Sequence, residues 1–144
     1  MKILMGIDNW KFSGDMVRAV VMQFRTENTE IIVLHVLQLA GPAPPQMDPD
    51  YAPELAGEEK PAHALVERIA KALRTAGFKA DTAVEVGDVR ERIIDSAAKW
   101  NADLIVIGSH GQTGIRRFLL GAVAESVARH AKCSVEIIRA PESI

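Results

Sequence analysis

Four glycines and the polar residues between them are the part of this sequence best suited to chemistry. Gly108, Gly111, Gly114 and Gly121 punctuate a stretch that also holds Ser109, His110, Thr113, Arg116 and Arg117. Before it stands an apolar run, Leu104-Ile105-Val106-Ile107, whose β-branched residues and short length suit a buried strand. After it, Phe118, Ala122, Val123, Val127 and His130 recur at helical spacing. A strand, a glycine loop and a helix start together form a place for an anion. The first amides of a helix have no intrahelical partner, and the peptide dipoles add partial positive charge there. Glycine lets the backbone approach a ligand with no Cβ in the way. The loop is therefore expected to hold the phosphates of a nucleotide.

A second group is Asp8, which closes the apolar run Ile3-Leu4-Met5-Gly6-Ile7. At a strand end its carboxylate can accept hydrogen bonds from an amine or hydroxyl, hold a metal, or simply cap a helix. His110 can touch a phosphate or ribose, yet a lone loop histidine with no carboxylate or serine partner in view makes a weak catalytic candidate. His35, on an apolar strand, reads as a satisfied core or strand-end histidine rather than a ligand. Arg116 and Arg117 either reach a terminal phosphate or form the solvated face of a helix start. His63 and His130 are isolated, and no His/Cys/Asp spacing matches a zinc site. No metal ligand and no catalytic residue is assigned.

Missing motifs narrow the field. G-x-x-x-x-G-K-[ST] does not occur, which excludes a P-loop NTPase, and no G-x-G-x-x-G follows the first strand. A phosphoacceptor receiver domain needs an acidic pair at the end of that strand, where Gly6-Ile7 precede Asp8.

The elements that must carry these residues follow from the apolar pattern. The 144 residues fit a single domain, spanning 1–144, able to bury about 70% of its unfolded surface. Lys+Arg 17 against Asp+Glu 19 gives a net charge of −2, so no basic field attracts nucleic acid or anionic lipid. No apolar run reaches ~18 residues, so no membrane span is expected, and MKILMGID turns polar too soon for a signal peptide. The single Cys133 suits a reducing compartment, and the expected location is cytoplasmic.

Strands are expected at 3–7, 31–37, 79–86, 104–107 and 134–139. Helices are expected at about 14–27, capped by Ser13 or Asp15, at 61–76, from Asp88 to about 100, and from the glycine loop to about 132. On the first of these, Met16, Val17, Val20, Val21 and Phe24 are expected to face inward. Between the second strand and second helix, residues 38–60 hold five of the seven prolines and read as a long, mobile surface connection. Alternation of strand and helix predicts an α/β fold, an open five-stranded parallel sheet with helices on both faces. With the first and fourth strands as central neighbours the order is 3-2-1-4-5, and Asp8 and the Gly108 loop open into one crevice.

The motif Gly108-Ser109-His110-Gly111, nine further residues, then Gly121 resembles G-x-x-G-x9-G-[ST] of the nucleotide-binding universal stress proteins. The likeness extends to KILMGID at the start, LHV at 34–36, GDVRERIIDSAAKWNADLIVIGSHG at 87–111 and GAVAESVARHAKCSVEIIR at 121–139. This resemblance implies a flavodoxin-like, adenine nucleotide alpha hydrolase-like sandwich. It also implies a homodimer paired through the fifth strand, about Ser134–Arg139, and an adenine nucleotide ligand: ATP, or alternatively AMP or another adenine nucleotide, with or without Mg. It carries over onto Gly6, Ile7 and Asp8 at the end of the first strand, where Asp8 meets the adenine or ribose. Val36 closes the second strand and offers its backbone to the adenine. Gly108, Ser109, His110, Gly111, Gly121, Ala122, Val123 and Ala124 cradle the ribose and phosphates.

One departure matters. Residue 122 is alanine where the motif carries Ser or Thr, so one hydroxyl donor to a phosphate is missing. Such a bond to a charged partner is worth on the order of 1–3 kcal/mol, about tenfold to a hundredfold in affinity. Gln112 also replaces a residue that is often basic. Three readings result: an adenine-nucleotide sensor acting in stress regulation, a nucleotide-free dimeric interaction protein, or a slow ATPase in which His110 or Asp8 positions water.

Overall fold

Continuous apolar runs form strands because both faces of a parallel sheet are covered. The computed structural model describes residues 1–8, 10–38, 55–109 and 121–139. Its elements run β1 (Lys2–Gly6), α1 (Trp10–Gln23), β2 (Glu30–Leu37), α2 (Leu55–Thr75), β3 (Lys79–Val86), α3 (Val89–Trp100), β4 (Leu104–Gly108), α4 (Ala122–His130) and β5 (Ser134–Ile138). The five strands form one sheet in the order β3-β2-β1-β4-β5, and every pairing is parallel. Fold class and strand order are those expected from the sequence.

Alternate residues of each strand feed two cores. Ile3, Met5, Ile31, Val33 and Val106 pack with Met16 and Val20 of α1 and with Val66, Ile69, Ala70 and Leu73 of α2. Leu4, Leu34, Ile105 and Ile107 pack on the other face against Ile93 and Ala97 of α3 and Ala124 and Val127 of α4. Because all strands are parallel, their carboxyl ends share one edge, and each following helix starts there.

Helix ends explain where the sequence signals worked. Asp88 caps α3, its Oδ1 accepting from the Glu91 amide at 3.1 Å. Gly77, at φ 105°, ends α2: the Phe78 amide donates to Leu73 and that of Gly77 to Arg74. This is a Schellman ending, and Leu73 and Phe78 meet in the core. Asn101, at φ 58°, ends α3 in the same way, with Ala102 donating to Ala97.

Other boundaries moved. α1 starts at Trp10, so Ser13 lies inside the helix, 1% exposed, rather than capping it. Val21, expected inward, is 39% exposed because the buried stripe follows Ser13, Met16 and Val20. α2 begins at Leu55, placing Pro61 inside the helix and shortening the connection expected at 38–60; residues 39–54 lie outside the described residues. Pro61 forgoes one backbone bond, and the five buried residues Ala62, Val66, Ile69, Ala70 and Leu73 hold the helix against the sheet regardless. α4 ends at His130, which is exposed, its ring Nδ1 donating to the Ser126 carbonyl at 2.9 Å. Cys133 is half-buried against the α3/α4 side, and burial pushes its thiol pKa up, the backbone partly countering this.

Candidate functional site

Strand order reverses between β1 and β4, and a ligand crevice in such a sheet forms at that point, beyond the carboxyl ends. β1 stops pairing before its neighbours stop being strands. Its register with β2 ends at Gly6↔Leu34 and with β4 at Met5↔Val106, while β2 runs on to Leu37 and β4 to Gly108. A slot is left between the ends of β2 and β4.

Which backbone groups face that slot follows from the ladder. In a parallel pair, the amide and carbonyl of one residue point to the same neighbour, and successive residues alternate. The Glu30 amide donates to Met1 and the Leu34 carbonyl accepts from Ile7, so even-numbered residues of β2 face β1. Gly87 donates to Leu37, so odd ones face β3. Val36 therefore turns its amide and carbonyl toward the slot. On β4, Ser109 donates to Ile138 of β5 at 2.8 Å, so odd residues face β5 and Gly108 faces β1. Two backbone donor–acceptor sets, from Val36 and Gly108, thus flank the exit of β1.

Side chains complete the setting. Ile7 is buried at 5% exposure and anchors the exit in the α1/α2 core, whereas Asp8 is exposed just beyond it. With the β1–β4 register carried onward, Asp8 stands opposite Ser109. Gly6 sits where a Cβ would come within 3.1 Å of Ile107 Cγ2 and 3.2 Å of Ile93 Cδ1, so glycine permits this close approach. Val36 is 8% exposed, and Ser109 is 4% exposed.

The glycine motif closes on itself. The Gly121 amide donates to the Ser109 carbonyl at 2.7 Å, bringing together the residues that flank 110–120. Gly121 is the N-cap of α4 and makes no side-chain cap bond; the first helical bond is Glu125 N–H to the Gly121 carbonyl at 3.0 Å. Hence the amides of Ala122, Val123 and Ala124 have no carbonyl within the helix, and they begin beside the end of β4. α1 starts at Trp10, just after Asp8, and has no acidic residue in its first turn. Two helix starts, with their partial positive charge, thus follow the two central strands.

Of the sequence-derived site residues, Gly6, Ile7, Asp8, Val36, Gly108, Ser109 and Gly121 fall on this carboxyl edge, with Ala122, Val123 and Ala124 in the first turn of α4. Ala122 is exposed, Val123 half-buried and Ala124 buried at 1%. His110 and Gly111, with Gln112, Arg116 and Arg117, lie outside the described residues. Among the described residues no group of three or more His, Cys, Asp or Glu side chains is arranged to hold a metal ion.

One further contact ties β2 to the exit of β1. The His35 ring Nδ1 lies 2.9 Å from the Ile7 carbonyl, across 28 residues of sequence. A carbonyl only accepts, so Nδ1 carries the proton. Finding it takes the β1–β2 register, not only the adjacency of the two strands.

A five-stranded parallel sheet whose order reverses between β1 and β4, with a helix following each of those strands, defines a doubly wound α/β class. The chain belongs to the universal stress protein family, whose model matches residues 1–139. It is 32% identical over 123 residues to universal stress protein MJ0531 of Methanocaldococcus jannaschii, covering 85% of this chain and 71% of that protein. The solved structure of M. jannaschii protein MJ0577 superposes with a TM-score of 0.79 at 27% identity, over 99% of this chain and 97% of that one. More distant structures share the fold. They include a universal stress protein in complex with cAMP (22% identity, TM-score 0.70), one from Archaeoglobus fulgidus with dAMP (20%, 0.69) and one from Arabidopsis thaliana with AMP bound (16%, 0.68).

Proposed function

We propose that this chain is an adenine-nucleotide-binding module, taking AMP or ATP in the slot between the ends of β2 and β4, and acting in stress regulation rather than as a catalyst. The observation that carries the reading is the Ser109–Gly121 bond, which sets the open amides of α4 beside the slot. In this reading the Val36 backbone pairs with the adenine edge, Asp8 accepts from base or ribose, and the amides of 122–124 receive phosphate. Related proteins crystallised with AMP, dAMP and cAMP support an adenine ligand. With alanine at 122 the phosphate end loses a hydroxyl, which favours AMP over the triphosphate.

Isothermal titration with AMP, ATP and ATP plus magnesium tests this. AMP is expected to bind, and Ala122→Ser to tighten ATP about tenfold with less effect on AMP. A ligand at a hundred times its Kd stabilises the fold by about 2.7 kcal/mol, so a melting temperature unmoved by every nucleotide at millimolar concentration would eliminate the reading.

The module is further proposed to work as a homodimer through β5. That strand pairs with β4 on one side, and an open edge of backbone donors and acceptors favours pairing with an identical edge across a two-fold axis. Sedimentation equilibrium at micromolar concentration is expected to give the mass of two chains, and Val135→Pro, which removes a donor from the edge strand, to shift it toward one. A single-chain mass for the native protein at that concentration would count against the dimer.

A further inference from the structure

The contact between His35 and Ile7 has a consequence for the proposed site and rests on that reading of it. The next rung of the β1–β2 ladder would run from the Val36 amide to the Ile7 carbonyl, continuing the bond from the Ile7 amide to the Leu34 carbonyl at 2.9 Å. The paired register stops before that rung, at Gly6↔Leu34. The Ile7 carbonyl is instead met by the His35 ring at 2.9 Å. A side chain from one strand has taken the acceptor that the following residue's backbone would have used.

We infer that His35 is a positioning residue of the nucleotide site: its ring occupies the Ile7 carbonyl, ends the β1–β2 ladder one rung early, and leaves the Val36 amide open to a ligand. Three points give the contact this role rather than that of an ordinary core bond. His35 is half-buried and extends from the same face as Ile7, which the α1/α2 core holds, so ring and carbonyl are both fixed. Ile7 immediately precedes Asp8, so the bond also sets where the carboxylate leaves the sheet. Finally, the parity of β2 directs the freed amide into the slot rather than toward β3. A neutral imidazole donating from Nδ1 leaves Nε2 as an acceptor, so the contact needs one tautomer and no charge.

The test uses the full chain with two variants. His35→Phe keeps a ring and removes the donor; His35→Asn places an amide N–H near the position of Nδ1. AMP affinity, measured by titration calorimetry, is expected to fall about tenfold or more in His35→Phe and to return to within about threefold of the native value in His35→Asn. In proton–nitrogen spectra without nucleotide, the Val36 and Asp8 amides are expected to shift in His35→Phe and to lie near their native positions in His35→Asn. Long-range spectra of the native ring are expected to show the proton on Nδ1. An Nδ1 that carries no proton overturns the inference without any variant, as does AMP affinity in His35→Phe within twofold of native, or an asparagine variant no better than phenylalanine. Should the native chain bind no adenine nucleotide, the functional proposal falls; the ring tautomer and the Val36 amide shift still decide whether His35 ends the ladder.

Discussion

Replacing Asp8 with alanine is expected to weaken AMP binding roughly tenfold to a hundredfold and to leave the ligand-free melting temperature within about 2 °C of native. The two halves of this expectation have separate causes. Asp8 is exposed beyond the end of β1 and buries nothing, and surface substitutions of that kind usually stay within about 0.5 kcal/mol. A ligand hydroxyl or amine donating to a carboxylate is worth about 1.5–3 kcal/mol, which gives the predicted loss of affinity. Asp8→Asn keeps an acceptor and loses the charge, so its affinity should fall between the two. Calorimetric titration of the three proteins with AMP decides the matter. Equal affinities would remove Asp8 from the site and leave backbone groups, at Val36, Gly108 and the start of α4, to support it.

The sheet was legible because a parallel strand covered on both faces needs apolar residues at every position. Leu104 to Ile107 are all 8% exposed or less, and a run of that kind has few other uses. Cap chemistry was legible for the same local reason: Asp88 and Gly77 each solve a problem confined to one helix end. The starts of α1 and α2 were not. Ser13 carries a capping side chain, but the helical stripe that buries Met16 and Val20 buries Ser13 with them, and the helix begins earlier. Pro61 suggested a first turn, yet the helix continues upstream of it to Leu55. For α1, tertiary packing overrode a capping preference worth about 0.5–2 kcal/mol.

The site divides along similar lines. Glycine spacing located the turn after β4, and the strand order then required Asp8 to stand near it, despite the 101 residues separating Asp8 from Ser109. What the sequence could not supply was which way the backbone faces. That depends on register parity, which emerges only when Met5 is known to pair with Val106 and Gly6 with Leu34. The pairing of His35 with Ile7 is of the same kind, a property of two adjacent strands rather than of either segment.

Ile105→Ala is expected to lower stability by about 2–5 kcal/mol and the melting temperature by roughly 10 °C. Ile105 is 0% exposed and lies on β4 between Leu4 of β1 and Val135 of β5, in the core that α3 and α4 cover. Truncation leaves a void between two ladders that hold the backbone at fixed spacing, so the surroundings collapse little and the cost lies toward the upper end for such a change. Against a total of about 5–15 kcal/mol for a domain, this is a large fraction. Yet the side chain sits three residues before Gly108 and contributes no group to the slot, so AMP affinity measured at low temperature, where the variant is folded, should stay within about twofold of native. Scaffold and site are thereby separated: one substitution moves the melting curve and not the titration, and Asp8→Ala does the reverse. A melting temperature lowered by less than about 3 °C would mean the core on this side relaxes around the void, and an equal loss of affinity would mean the slot depends on packing beneath it rather than on the backbone that lines it.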